Sequence, residues 1–208
     1  ERLRTSLLIE ADGRHLLIDT SPDLRHQLLS TGSPRIDAVL WTHGHYDHYT
    51  GYGEFYRIQD PPPVYAGEET LSYCAPLFGF LSFEQHGVQP YTPFTLLDLS
   101  VTLFPVNHPP VTSFGVRIDS PEGSIAYTGD TRADIPRLSK ALLSGVDLLV
   151  LDAIVPPEIR LSKHMNYQEA QALAEESGAR KFRFVHLSHL IPWSFPHLAR
   201  DGERIRFP

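Results

Sequence analysis

Three observations predict an α+β fold, with two β-sheets flanked by helices. Short apolar runs of strand length alternate with helical stretches along most of the 208 residues. Histidines and aspartates recur where several of those runs end. The densest such point is Thr42-His43-Gly44-His45-Tyr46-Asp47-His48, which places three imidazoles and a carboxylate directly after the apolar Ile36 to Trp41.

In chain order, Thr5 to Ile9 and Leu16 to Asp19 read as a hairpin turning at Asp12-Gly13. Pro22 to Leu29 reads as a short helix, capped by Ser21 and opened by proline in its first turn. Ile36 to Trp41 is a strand that delivers the histidine cluster. A loop at Pro61-Pro62-Pro63 leads into a short strand, Val64 to Ala66, and Glu68 to Leu77 holds a helix cut by Pro76. Thr95 to Val106, Ser113 to Ile118 and Ser124 to Tyr127 are strands, with a turn at Glu122-Gly123. Arg137 to Leu143 is helical and Asp147 to Leu151 is a buried strand. Tyr167 to Ser177 is the clearest helix, ended by Gly178, and Lys181 to His186 is the last strand. No internal repeat or low-complexity segment is visible, and residues 1–208 read as one domain.

Composition narrows the class. Hydrophobic residues make up 41% and charged residues 21%, ordinary for a soluble globular chain. There is no run of about 18 apolar residues and no secretory signal, which predicts no membrane partner. The first residue is Glu1 and not methionine, so the natural start could lie upstream. Cys74 is the only cysteine, which excludes an internal disulfide and a cysteine-based zinc cluster and points to the cytoplasm. It reads as a small buried hydrophobe. A net charge of −7 with scattered basic residues argues against long nucleic acid, though not against a small phosphate ester.

Imidazole nitrogen and carboxylate oxygen suit zinc, manganese, iron or nickel. Alternate spacing lets His43 and His45 converge on one ion as the chain leaves a strand, while Asp47 and His48 point elsewhere and can begin a second site. The competing readings are a solvated polar loop or one structural metal. Burying this much polarity without partners would be costly, which favours metal.

The cluster resembles the H-x-H-x-D-H signature of the metallo-β-lactamase superfamily, and the rest of that family's pattern follows in order over nearly the whole chain. The resemblance implies a four-layer αβ/βα sandwich with the site at one edge of the sheets. It implies that His108, in Val106-Asn107-His108-Pro109-Pro110, completes the first ion's ligands. Asp130, in Tyr127-Thr128-Gly129-Asp130-Thr131, would bridge both ions, and His186, in Phe184-Val185-His186-Leu187-Ser188-His189, would complete the second set. His189 competes for that last place; His186 is preferred because it ends the strand. His43, His45 and His108 then form one set, and Asp47, His48 and His186 the other. Neither closes a tetrahedron, so each ion keeps a solvent position. Two ions roughly 3.5–4 Å apart can share a hydroxide, formed from a water whose pKa the metals depress toward ~7, as nucleophile, with Asp47 counted among the catalytic groups.

His164, in Leu161-Ser162-Lys163-His164-Met165-Asn166, together with Asp152 resembles the acid/base pair of the family's phosphodiesterase branch. That branch includes ribonuclease Z and the cyclic phosphodiesterase of phosphonate degradation, in which a histidine protonates the departing alkoxide. Phe184 to His189 is similar to the latter group's T-H-I-S-H ending, Arg4 to Ile9 to its R-x-S strand, and Phe114 to Ile118 to its G-Y-R-I strand. A glycine-rich opening strand and a cysteine cluster are the two features of the family missing here. The alternative roles are that His164 only caps its helix and Asp152 makes a structural hydrogen bond.

The expectation is a hydrolase with two divalent ions, zinc or manganese first and iron or nickel also suitable, acting on a small phosphate ester, cyclic esters included, with a homodimer left open. The alternatives are a ribonuclease Z-like tRNA 3′-processing endonuclease, which needs a basic arm, and an iron-dependent oxidoreductase like the pyrroloquinoline quinone biosynthesis relative. A flavodiiron role is disfavoured because His45 stands where those proteins carry glutamate. A non-catalytic metal-binding module is the outside reading. Tyr46 and Tyr49 flank the cluster as candidate substrate contacts, and His15, His26, His86 and His197 read as surface or core residues.

Overall fold

Leu7–Ala11 (β1) and Arg14–Ile18 (β2) form the opening antiparallel hairpin, turned by Asp12 and Gly13 at positive φ. The computed structural model describes residues 2–207; Glu1 and Pro208, and with Glu1 the question of the natural start, lie outside the described residues. Ala38–Leu40 (β3), Val64–Ala66 (β4) and Gln85–Gly87 (β5) extend the hairpin in parallel, giving a sheet of order β1-β2-β3-β4-β5. The second sheet is built from Phe94–Leu96 (β6), Leu99–Val106 (β7), Ser113–Ser120 (β8), Gly123–Tyr127 (β9), Leu148–Asp152 (β10) and Lys181–Val185 (β11). Its order is β11-β10-β9-β8-β7-β6, antiparallel from β6 to β9 and parallel from β9 to β11.

Three apolar clusters show the layering. Leu16, Ile18, Ala38 and Leu40 of the first sheet meet Val101, Leu103, Val116, Ile118 and Val150 of the second, so the sheets pack face to face. The outer face of the first sheet, through Leu17, Val39, Trp41 and Val64, packs on Leu24–Ser30 (α1), Phe55–Ile58 (α3) and Glu68–Cys74 (α4). The outer face of the second, through Ala126, Leu149, Leu151 and Phe184, packs on Arg137–Leu143 (α5) and Tyr167–Ser177 (α6). The α+β, four-layer αβ/βα architecture is therefore as expected.

Several local expectations change. The run Thr95 to Val106 is two strands, because Leu97 and Asp98 both take positive φ and form a two-residue hairpin turn, anchored by the Arg14–Asp98 ion pair. Ser21 does not cap α1. Asp23 occupies that position, but its carboxylate is spent on the Arg4 backbone N–H at 2.8 Å and the Arg4 guanidinium at 3.1 Å, so no side-chain cap forms. The strand before the histidine cluster shortens to β3, and the polar β5 exists only because β4 offers it a partner edge. Tyr46–Tyr49 (α2) is a single helical turn within the cluster itself. Arg137–Leu143 and Tyr167–Ser177 match the predicted spans, and Gly178 closes α6 at φ 66.

Candidate metal centre

The ends of β3, β7, β9, β10 and β11 and the segments that follow them converge at one edge of the sandwich and carry the predicted site residues. His43 lies three residues beyond the end of β3, and α2 then presents Asp47 and His48 from one turn, with His45 as its N-cap residue. His108 follows β7, Asp152 ends β10, and His186 follows β11 at φ 57. Asp130 follows β9 through Gly129, whose φ of 59 and 2.6 Å approach of any Cβ to the Phe114 carbonyl oxygen require glycine.

Asp130 lies at the middle. Its Oδ2 is 3.6 Å from His43 Nε2, 3.3 Å from His48 Nε2, 3.9 Å from His108 Nε2 and 3.5 Å from His186 Nε2. His45 Nδ1 and His108 Nε2 are 2.9 Å apart, and Asp47 Oδ2 is 3.3 Å from His186 Nε2 and 3.7 Å from His48 Nε2. Ligand-type atoms thus gather as His43, His45, His108 and Asp130 on one side and Asp47, His48 and His186 on the other, each set within 4.8 Å.

The far nitrogens of these rings are already committed. His48 Nδ1 donates to Asp19 Oδ2 at 2.7 Å, His43 Nδ1 meets Thr42 Oγ1 at 3.0 Å, and His108 Nδ1 donates to the Lys163 carbonyl at 2.9 Å. Each bond leaves Nε2 as the ring nitrogen that faces the cluster, the arrangement that metal-binding histidines need. His43 Nε2, His48 Nε2, His186 Nδ1, Asp130 Oδ1 and Asp152 Oδ1 are buried without a hydrogen-bond partner. So many orphaned polar atoms at one point are costly unless something charged satisfies them, and the donor set fits divalent cations.

Charge points the same way. Burial and the neighbouring His48 hold His43 well below the usual histidine range, and burial also lowers His45 and His108, leaving neutral imidazoles ready to ligate. Burial pulls down His48 and His186 too, but the surrounding carboxylates win. Asp130 and Asp19 raise His48 well above its ordinary value, and Asp130, Asp152 and Asp47 push His186 up to about 10. Against the pull of burial, His186 and His48 hold Asp130 well below the carboxylate range, and bonding to His186 likewise lowers Asp47. The centre carries excess negative charge that protons balance here and that cations would take over.

Beside it, His164 Nδ1 donates to Asp152 Oδ2 at 2.7 Å, and the Thr131 N–H donates to the same oxygen at 3.1 Å. Asn166 caps α6 through a capping box with Glu169, so His164 is not the cap. The His164 ring is stacked on His186 with centroids 5.1 Å apart, and 13% of its side chain reaches solvent. His189 is exposed and outside the cluster. Tyr46 is 56% exposed, whereas Tyr49 is buried against Trp41 and Phe78, which corrects its reading as a substrate contact. Asp19 was missed. Fully buried, it takes the Thr42 backbone N–H and hydroxyl, each at 2.8 Å, besides His48. The only hint in the sequence is the polar Asp19-Thr20-Ser21 directly after a buried strand.

Residues 14–187 match the family described as Beta-lactamase superfamily domain. The chain belongs to that superfamily. Among solved structures, a diphosphatase of the PhnP family is similar with a TM-score of 0.88 and 31% identity, over 99% of this chain and 85% of that one. A protein named octanoyltransferase from Porphyromonas gingivalis is 31% identical over 95% of this chain. The chain spans only 42% of that relative's length. The probable metallo-hydrolase YhfI of Bacillus subtilis is 27% identical over 88% of this chain and 79% of its own. Superfamily membership and the histidine–aspartate cluster together mark this domain as a candidate metal-binding domain.

Proposed function

We propose that the protein is a dinuclear metal-dependent phosphodiesterase acting on a small phosphate ester or diphosphate-linked ester. One observation carries this reading: a centre of orphaned imidazole and carboxylate atoms stands directly beside a histidine–aspartate pair able to handle a proton. His43, His45 and His108 would hold one ion, Asp47, His48 and His186 the other, and Asp130 both. Bound divalent ions supply Lewis-acid polarisation of phosphoryl oxygens and a water of lowered pKa.

The chain's own residues handle the leaving group. Asp152 accepts the Nδ1 proton of His164 and so keeps Nε2 as the face that carries the transferable proton. As the P–O bond breaks, that proton passes to the departing oxygen, and solvent restores it. The likeness to a diphosphatase supports phosphate chemistry, and the net charge of −7 weighs against the ribonuclease Z-like alternative, because a long polyanion would be repelled. Zinc- or manganese-loaded protein is expected to hydrolyse bis(p-nitrophenyl) phosphate, ribose cyclic phosphates, cyclic nucleotides or diphosphate-linked esters, and to lose turnover on chelation. No turnover on any of these by metal-loaded protein would defeat the proposal.

A further inference from the structure

The segment Arg2–Thr5 contacts parts of the chain that lie close by in space but far away in sequence. The Thr5 hydroxyl oxygen accepts the backbone N–H of His186 at 3.1 Å, across 181 positions. That N–H falls just past the end of β11, and His186 there holds a left-handed φ of 57. Arg2 donates to the Ser188 carbonyl and, at 2.7 Å, to the Ile191 carbonyl, and its guanidinium lies 3.9 Å over the Trp193 ring. The Leu3 N–H donates to Asp201 at 3.1 Å. On the other flank Arg4 pairs with Asp23 and lies 5.8 Å over the ring of Tyr46, the residue before Asp47.

We propose that Arg2–Thr5 is a strap that positions the second ion's ligand set, with Thr5 as the positioning residue for His186. Besides Asp23 and Asp201, the contacts fall on the loop carrying His186 and on the neighbour of Asp47; in the first set, His43 and His108 are oriented separately through Thr42 and the Lys163 carbonyl. A left-handed backbone is unfavourable for histidine, so an external acceptor for its N–H selects the conformation that turns the ring toward Asp47 and Asp130. Losing that acceptor leaves the amide unsatisfied and lets the ring depart, while the first set stays in place.

This inference rests on the two-ion reading above, and zinc binding to metal-stripped protein separates the two. Titration against a competing chelator should show two ions in wild type. Thr5→Val should keep the first step and weaken the second by about 10–100-fold, the usual cost of losing a group that orients a ligand. Thr5→Ser, which retains the hydroxyl, should restore it, and the metal-free Thr5→Val protein should melt as a folded protein. Should Thr5→Val not fold, Arg2→Gln carries the same test, because it frees the Ser188 and Ile191 carbonyls and leaves Thr5 intact; again only the second step should weaken. One ion in wild type would sink the two-ion reading and this inference with it. Two ions in wild type, with both steps weakened alike or neither changed in the variants, would overturn the strap alone.

Discussion

At the scale of single residues, the chemistry turns on which atoms are left free. His164 has Nδ1 bound to Asp152, and its remaining nitrogen suits proton donation to a leaving oxygen. An alkoxide needs that proton, whereas p-nitrophenolate barely does. His164→Ala should therefore cost about 10²–10⁴-fold on alkyl or ribose phosphate esters and far less on p-nitrophenyl esters, at unchanged metal content. Equal losses on both substrates, or loss of an ion, would make His164 a ligand or a positioning group. Asp130 sits within 3.9 Å of four histidine Nε2 atoms drawn from both sets. Asp130→Asn should lower occupancy at both positions by elemental analysis; two fully retained ions with normal turnover would refute its shared role.

At the scale of elements, the site depends on strand ends and on one helix cap. The loop bearing His164 runs into α6 through Asn166, whose side chain accepts the Glu169 N–H at 2.9 Å and donates to the Pro157 and Ile159 carbonyls at 3.2 Å. Asn166→Ala removes all three bonds. The expected cost is about 0.5–2 kcal/mol for the cap alone, seen as a Tm lower by several degrees. Turnover of alkoxide-leaving substrates should fall with it, since the same loop holds His164 against Asp152. An unchanged Tm would show that Glu169 and the helix start hold the loop unaided.

Charge balance acts on the molecule as a whole. In the metal-free protein His48 and His186 gain affinity for protons from the carboxylates around them, despite burial, and His186 rises to about 10. A raised pKa contributes stability in full below the ordinary histidine value of 6.5, and that contribution is lost as pH climbs through the folded value. The lowered values of Asp47 and Asp130 act in the opposite direction, their contribution fading as pH falls, and the lowered values of His43, His45 and His108 add a cost that grows as pH drops below 6.5. Thermal unfolding with chelator present should thus show Tm declining from pH 6.5 toward 10. Zinc-loaded protein should have a higher Tm and lack that decline, because bound cations replace the protons. A metal-free Tm that stays level over this range would contradict the charge balance.

Much of the centre was legible in the sequence because its ingredients are local. His43 to His48 lie within six positions, and His108, Asp130 and His186, which the family resemblance singled out, each follow an apolar run whose strand character is set by its own side chains. Buried apolar strands and ligand-type residues at their ends are demanded by burial and by metal chemistry, whatever the rest of the chain does. Tertiary structure alone decided how the parts are held. Asp19 reaches His48 across 29 positions and Thr5 reaches His186 across 181, and nothing local to either residue names its partner. The polar β5, the break at Leu97 and Asp98, and the burial of Tyr49 likewise depend on a partner strand, a turn and an aromatic neighbour supplied from elsewhere. A side chain's type limits what it can bond. Which distant group comes within reach is settled only when the two sheets pack and their strand ends meet.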